Sequence, residues 1–220
     1  MNGKGPKTPQ IHRLYDRLGR LYDLASLVEA RARGIALGRL DLQPGARVLN
    51  VGCGTGLGSR QIEATLPPQS SLISIDLSST MVRLTKSRVA SPVLQADLLH
   101  LPLLRKSVDW LWSAFVLDLL PATALEPALQ EYRRVLDSRG RLFLLSITRG
   151  VDPLSRTVIA IWEALYSIHP SLCAGCRPLD LRGTLERIGF HILHQETVVQ
   201  WGFPVQVLLA SRSQPARVHS

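Results

Sequence analysis

The spacing of apolar residues divides this chain into two kinds of segment. From Gln10, Ile11, Leu14, Tyr15, Leu18, Leu21, Tyr22 and Ala25 recur at three- and four-residue steps, and Arg13, Arg17 and Arg20 fall outside that stripe. This pattern predicts an amphipathic helix. A second helix is expected from Ser26 to Leu40, ended by the turn residues Gln43-Pro44-Gly45. The period then shortens. Arg47 to Val51, Ser71 to Ile75, Val93 to Ala96, Val108 to Ala114 and Arg141 to Ile147 are short apolar runs that read as buried strands. Helical stretches separate them: after the glycines to Leu66, over 77–90, and from Pro121 to Leu136. Strands alternating with helices predict βαβ units and a mostly parallel sheet.

After Ile147 the pattern changes. Residues 153–168 read as a helix, 169–178 as an irregular stretch, and 179–188 as a further helix. His191 to Val199 and Val205 to Ala210 read as a closing pair of strands. No internal repeat interrupts this order.

Composition narrows the class. A chain of 220 residues fits one α/β domain and needs no disulfides to fold. Three cysteines (Cys53, Cys173 and Cys176) do not form a secreted disulfide framework. The first residues lack the apolar core of a signal peptide, and no apolar run approaches the roughly 20 residues that span a bilayer. The expected location is cytoplasmic, with peripheral membrane contact as a further expectation. The net charge is +9, and residues 1–47 hold nine Lys/Arg against four Asp/Glu. Such a balance suits acidic partners or serves solubility alone; no basic run exceeds two consecutive residues, which favours the second reading.

The chemistry-bearing signal is Val48-Leu49-Asn50-Val51-Gly52-Cys53-Gly54-Thr55-Gly56. Glycines after a first strand let backbone N–H groups approach a ligand closely. Asp76 ends the second strand, 20 residues after Gly56, where an acid accepts hydrogen bonds from ribose hydroxyls. Asp97 ends the third strand, within reach of an adenine edge. Three contacts at the carboxyl ends of successive strands agree with the crevice rule for open α/β sheets. Helix capping is the competing reading for each acid.

Together with Ser107-Val108-Asp109, Glu131 to Leu136 and Gly140-Arg141-Leu142, these segments resemble the motifs of class I S-adenosylmethionine-dependent methyltransferases over residues 40–148. The ubiquinone/menaquinone C-methyltransferases, or methyltransferase type 11, are the most similar branch. The resemblance implies a Rossmann-like, seven-stranded sheet, mostly parallel with one antiparallel edge strand. It implies S-adenosylmethionine as cofactor and S-adenosylhomocysteine as product. Asn50, Gly52, Cys53, Gly54 and Gly56 would border the methionine and ribose portion. Asp76 and Leu77 would meet the ribose, Met81 the adenine, Asp97 and Leu98 the adenine edge, and Ser113 the methionine moiety. Asn50 departs from the family, which usually has an acid there; an amide brings no charge to the cofactor's ammonium group.

The implied domain plan is a tail at 1–9, N-terminal lid helices at 10–43, a cofactor-binding core at 44–148, a lid insertion at 149–178, and a C-terminal helix and strands at 179–212. The candidate catalytic residues are His169, Asp118 and Tyr22. His169 has a pKa near working pH and competes with a surface or capping role. Asp118 follows the fourth strand and competes with a solvated helix start. Tyr22 shares a helix face with Tyr15. His169, Cys173 and Cys176 resemble half a zinc site, but buried thiols are the stronger reading and no metal is expected. The expected acceptor is a small lipophilic molecule, with quinone-type C-methylation ahead of phospholipid headgroup N-methylation. The basic N-terminal helix would rest on an anionic membrane. A non-catalytic cofactor-binding protein is the alternative from another class. Nucleic acid is not an expected partner, because no appended RNA-binding module or amino-methylase motif is present.

Overall fold

A computed structural model describes residues 22–212, with side chains from residue 29 onward. Helix α1 (Tyr22–Gly38) leads to strand β1 (Arg47–Val51), then α2 (Leu57–Glu63), β2 (Ser71–Asp76), α3 (Ser79–Lys86), β3 (Val93–Gln95) and β4 (Val108–Ala114). A 3-10 turn over Leu117–Leu119 precedes α4 (Ala122–Val135), and β5 (Leu136–Ile147) follows directly. Next come α5 (Pro153–Ile168), a 3-10 turn over Pro170–Cys173, α6 (Arg182–Arg187), β6 (His191–Gln200) and β7 (Phe203–Ser211).

The seven strands form one sheet in the order β3-β2-β1-β4-β5-β7-β6. β1 to β5 pair in parallel. β7 runs antiparallel to β5 and to β6, so the final hairpin forms the antiparallel margin. The chain moves outward from β1 through β2 to β3, then returns to β4 on β1's other side. That reversal opens a crevice at the carboxyl ends of β1 and β4.

β1 is buried from Val48 to Val51 because both of its faces are covered. On one face Leu129, Tyr132 and Val135 of α4 and Leu185 of α6 pack with Leu49, Val51, Leu142 and Leu144. On the other, Ala32 and Ala36 of α1, Ile62 of α2 and Ile159 of α5 pack with Val48, Trp112, Phe143 and Leu145. Apolar burial of this kind is worth roughly 25 cal/mol per Å², and it fixes the strand ends that carry the site.

Local signals set the helix starts. Ser78 caps α3 by accepting from Met81 N at 3.2 Å. Asp152 and Ser155 form a capping box on α5, where Ser155 N donates to Asp152 Oδ1 at 2.8 Å. One boundary differs from the sequence reading. The sequence places the fifth strand from Arg141 to Ile147, yet β5 starts at Leu136, which pairs with Val108 before the register shifts to Trp110 and Arg141. Leu136 is wholly buried, so the chain joins the ladder first and absorbs the extra residues as a bulge.

Candidate cofactor and acceptor site

The glycine loop between β1 and α2 has the backbone that its sequence demands. Gly52, Gly54 and Gly56 all have positive φ, a region that costs other residues strain. Their surroundings differ. A Cβ on Gly52 would lie 2.1 Å from Val116 Cγ2, and one on Gly56 would lie 2.8 Å from Thr85 Cα. One on Gly54 would meet nothing within 4 Å. Gly52 and Gly56 therefore let the loop pack closely, and Gly54 keeps space open.

Asp76 holds this loop. Its Oδ2 accepts from Gly54 N and its Oδ1 from Ser78 N, each at 2.9 Å. Asp97 is engaged through Oδ1, which accepts from Leu99 N at 2.9 Å. Asn50 is buried, and its Nδ2 donates to Ser59 Oγ at 2.8 Å. Ser74 Oγ donates to the same oxygen at 3.0 Å. Burial pushes the Cys53 thiol up to about 12, helped by the nearby Asp76 charge. Cys53 therefore stays a neutral thiol near pH 7 and does not compete as a nucleophile.

A single cavity joins these groups. Asn50, Gly52, Cys53, Gly54, Asp76, Leu77, Met81, Asp97 and Leu98 all line it. Trp112, Ala114, Phe115, Val116, Leu119, Leu120, Pro121 and Ala124 line it as well, together with Glu29 and Arg33 from α1. Arg33 Nη1 donates to Glu29 Oε2 at 3.4 Å, one helical turn away. The apolar wall of this cavity is absent from the sequence reading. Apolar residues on a cavity are indistinguishable by type from apolar residues in a core. The Glu29–Arg33 pair had a signal: opposite charges four apart beside the apolar Ala32 and Ala36.

Four expected site residues lie elsewhere. Gly56 is the N-cap of α2 and shapes the loop without lining the cavity. Ser113 lies on the other side of β4, where its hydroxyl pairs with Tyr132 OH at 3.0 Å inside the core. Trp112 takes the cavity side, because it is the register partner of Asn50 on β1. Asp118 is fully buried behind the wall and does not face the acceptor space. Its Oδ2 accepts from Ile147 N at 2.9 Å, while Oδ1 has no partner. Burial holds its carboxyl well above the usual carboxylate range. His169 is exposed at the end of α5, its Nδ1 paired with Ser171 Oγ at 2.6 Å. It caps the next turn and does not line the cavity.

Tyr22 opens α1, but its side chain lies outside the described residues, as do Tyr15 and most of the basic helix. Residues 149–178, expected as a lid, contribute nothing to the cavity lining. Trp162 instead packs edge-on to Phe203 at 5.0 Å and donates to Cys176 O at 3.0 Å. Cys173 is buried, with its thiol directed to Trp162 O at 3.3 Å. Among the described residues no group of three or more His, Cys, Asp or Glu is placed to hold a metal. No helix among them is long and apolar enough to cross a membrane.

The residues present fit S-adenosylmethionine: Asp76 would accept from the ribose hydroxyls, Asp97 would accept from the adenine edge, and Gly54 leaves open space. Comparison with known proteins agrees. Residues 49–144 match the family model described as a methyltransferase domain. The chain is 31% identical over 196 residues to a malonyl-[acyl-carrier protein] O-methyltransferase of Methylovorus sp., covering 83% of this chain and 63% of that protein. It is 30% identical over 151 residues to a ubiquinone/menaquinone biosynthesis C-methyltransferase of Syntrophotalea carbinolica, covering 64% and 62%. The chain thus spans less than two thirds of either relative. Geranyl diphosphate C-methyltransferase from Streptomyces coelicolor, solved with S-adenosyl-L-homocysteine, shares the fold at a TM-score of 0.67 and 13% identity, over 84% of this chain and 81% of that one. Fold and similarity point the same way: over residues 49–144 the chain is similar to the methyltransferase domain family, on a sheet that solved methyltransferases share.

Proposed function

We propose that this chain transfers the methyl group of S-adenosylmethionine to a small, largely apolar acceptor. The observation that carries this reading is the single cavity in which the Asp76–Asp97 side meets the wall from Phe115 to Ala124. The cofactor supplies a methyl group activated on a sulfonium. The protein's part is to bind, orient and keep water out. Asp76 and Asp97 fix the nucleoside end. The apolar wall excludes water from the space beside Gly52 and Gly54, where an acceptor atom must approach in line.

Within this reading, quinone-type carbon methylation comes first. An aromatic carbon nucleophile bears a hydroxyl whose proton must leave, and the carbon loses its own proton after taking the methyl group. Glu29 is a carboxylate in the cavity lining that could receive one. A second reading rests on Arg33, which lines the same cavity and is 9% exposed. A guanidinium there suits an acceptor carboxylate, and methylation of a carboxylate oxygen needs no base. The malonyl O-methyltransferase relative makes this reading concrete. In either case the basic segment 1–24 would bring the protein to an anionic membrane carrying lipophilic acceptors.

The test is formation of S-adenosylhomocysteine with a naphthoquinol and with a malonyl thioester. Turnover of the naphthoquinol, reduced at least tenfold in kcat by Glu29→Gln, supports the first reading. Turnover of the thioester, with KM raised by Arg33→Gln, supports the second. S-adenosylmethionine binding without turnover of either moves the chain to the non-catalytic alternative. Absence of binding overturns the proposal.

A further inference from the structure

A second recess lies at the other end of the sheet. It has a volume of about 350 Å³ and is lined by Arg105, Glu126, Gln130, Arg133, Arg134, Arg187, Ile188 and Arg212. Arg105 precedes β4 and Arg212 follows β7, so the recess sits at the amino-terminal ends of the parallel strands, away from the cofactor cavity. Five arginines face two kinds of company there.

Two are neutralised. Arg134 binds Glu131 at 2.7 Å and also donates to Leu101 O and Leu103 O. Arg187 binds Glu126 at 3.0 Å. The other three are not. Among the described residues, no ion pair is made by Arg105, Arg133 or Arg212. Arg133 Nε is buried without a hydrogen-bond partner, and its guanidinium lies over the Gly189 turn. Arg212 donates to Leu136 O. Burial, then the charges of Arg133 and Arg105, lower its pKa, with Asp137 opposing them.

The nearby negative groups are already occupied. Asp137 accepts from Arg139 N at 3.1 Å and from Ser138 Oγ at 3.2 Å, within its own bulge. The carboxyl end of α4 carries a partial negative charge. Two of its carbonyls, however, accept from Lys106 N at 3.0 Å and Ser107 N at 2.8 Å. Three guanidiniums thus converge on one recess with one donor orphaned. Guanidinium forks match the oxygens of phosphoryl groups, and the recess is large enough to admit such a group.

We propose that this recess is a binding site for a phosphoryl-type oxyanion, held by Arg105, Arg133 and Arg212 and separate from the cofactor cavity. Its occupant relieves the repulsion among the three arginines. The site therefore stabilises the fold when filled, and removing one arginine stabilises the empty protein.

The experiment titrates the full chain with pyrophosphate, against chloride at matched ionic strength, by calorimetry and thermal unfolding. The expected result is one-to-one binding and a raised Tm, with Arg133→Gln and Arg212→Gln each weakening binding about tenfold and leaving S-adenosylmethionine affinity unchanged. Each variant is also expected to melt above the parent when no ligand is added. A pyrophosphate effect no larger than that of chloride overturns the proposal. So does equal binding by the variants, or a lower Tm in the empty variants, which would make the arginines structural. Vesicles of phosphatidylglycerol in phosphatidylcholine form a second arm: displacement of pyrophosphate by the vesicles assigns the oxyanion to a lipid headgroup, and its absence assigns it to a soluble phosphate.

Discussion

Residues 47–98 and residues 149–178 make an instructive pair. The second segment has the more conspicuous side chains: Trp162, Tyr166, His169, Cys173 and Cys176 within one short stretch. None of them lines the cavity. The first segment offers glycines, two aspartates and a neutral thiol, and it builds half the site. The difference is position. Gly52 to Gly56 and Asp97 follow parallel strands and Asp76 ends one, all at carboxyl ends where backbone donors and open space converge. Helix α5 packs Ile159 on the sheet and turns Leu154, Ile161 and Ile168 outward. Residue type without a strand end beneath it says little about a site.

The sharpest way to break this comparison is one substitution on each side. Asp76→Ala removes the acceptor for two loop N–H groups along with the proposed ribose contact. S-adenosylmethionine affinity should fall at least about 100-fold, since hydrogen bonds to a charged group are worth about 1.5–3 kcal/mol each. His169→Ala should leave that affinity unchanged and stability within about 0.5 kcal/mol. Calorimetric titration of the pair decides. Comparable losses in both would return residues 149–178 to the site.

A finer contrast lies within the loop. Gly56→Ala forces a Cβ against Thr85 Cα and should cost about 1–3 kcal/mol of stability, read by denaturant unfolding. Gly54→Ala meets no neighbour, so its stability loss should be the smaller of the two. Its methyl group instead stands in the space kept for the cofactor. It should therefore weaken binding more than it weakens the fold, and the opposite pattern would sink that division of roles.

Asp118 gives the smallest expected effect and a pH signature. Its folded pKa is raised by burial, so the native state holds a proton that the unfolded chain releases above about 3.9. The contribution is full below that pH and is lost as pH rises through the folded value. Asp118→Asn keeps an acceptor for Ile147 N–H and carries no charge. Its stability should fall less than the parent's over that window, measured as Tm against pH. Parallel profiles would mean that Asp118 is ionised in the fold.

The alternation of strands and helices and the residues around the glycine loop were legible because each rests on a local rule: glycines at positive φ, acids at strand ends, and a period that alternates between two kinds of element. Ser113 was misplaced by strand parity alone. Asn50 and Trp112 are register partners on adjacent strands, so they share a face, and the intervening Ser113 cannot. Asp118 was legible as a residue after β4 but not as a buried one. Its depth depends on Ile147, 29 residues away. The apolar wall was invisible because nothing in Val116, Leu119 or Leu120 marks a surface as cavity or core.

The placement of β7 bears on how the molecule is made. It is the last described strand, yet it lies inside the sheet, between β5 and β6. During synthesis from the amino end, β5 emerges more than 50 residues before Phe203. Throughout that interval one side of β5 presents unpaired N–H and C=O groups from its most apolar stretch, Leu142 to Leu145. An open edge of that kind is a template for pairing with another nascent chain. β6 cannot cover it, since β6 reaches the sheet only through β7. Closure thus waits for the final hairpin, and a ribosome that stalls before Phe203 releases a chain with a finished cofactor loop and an adhesive edge.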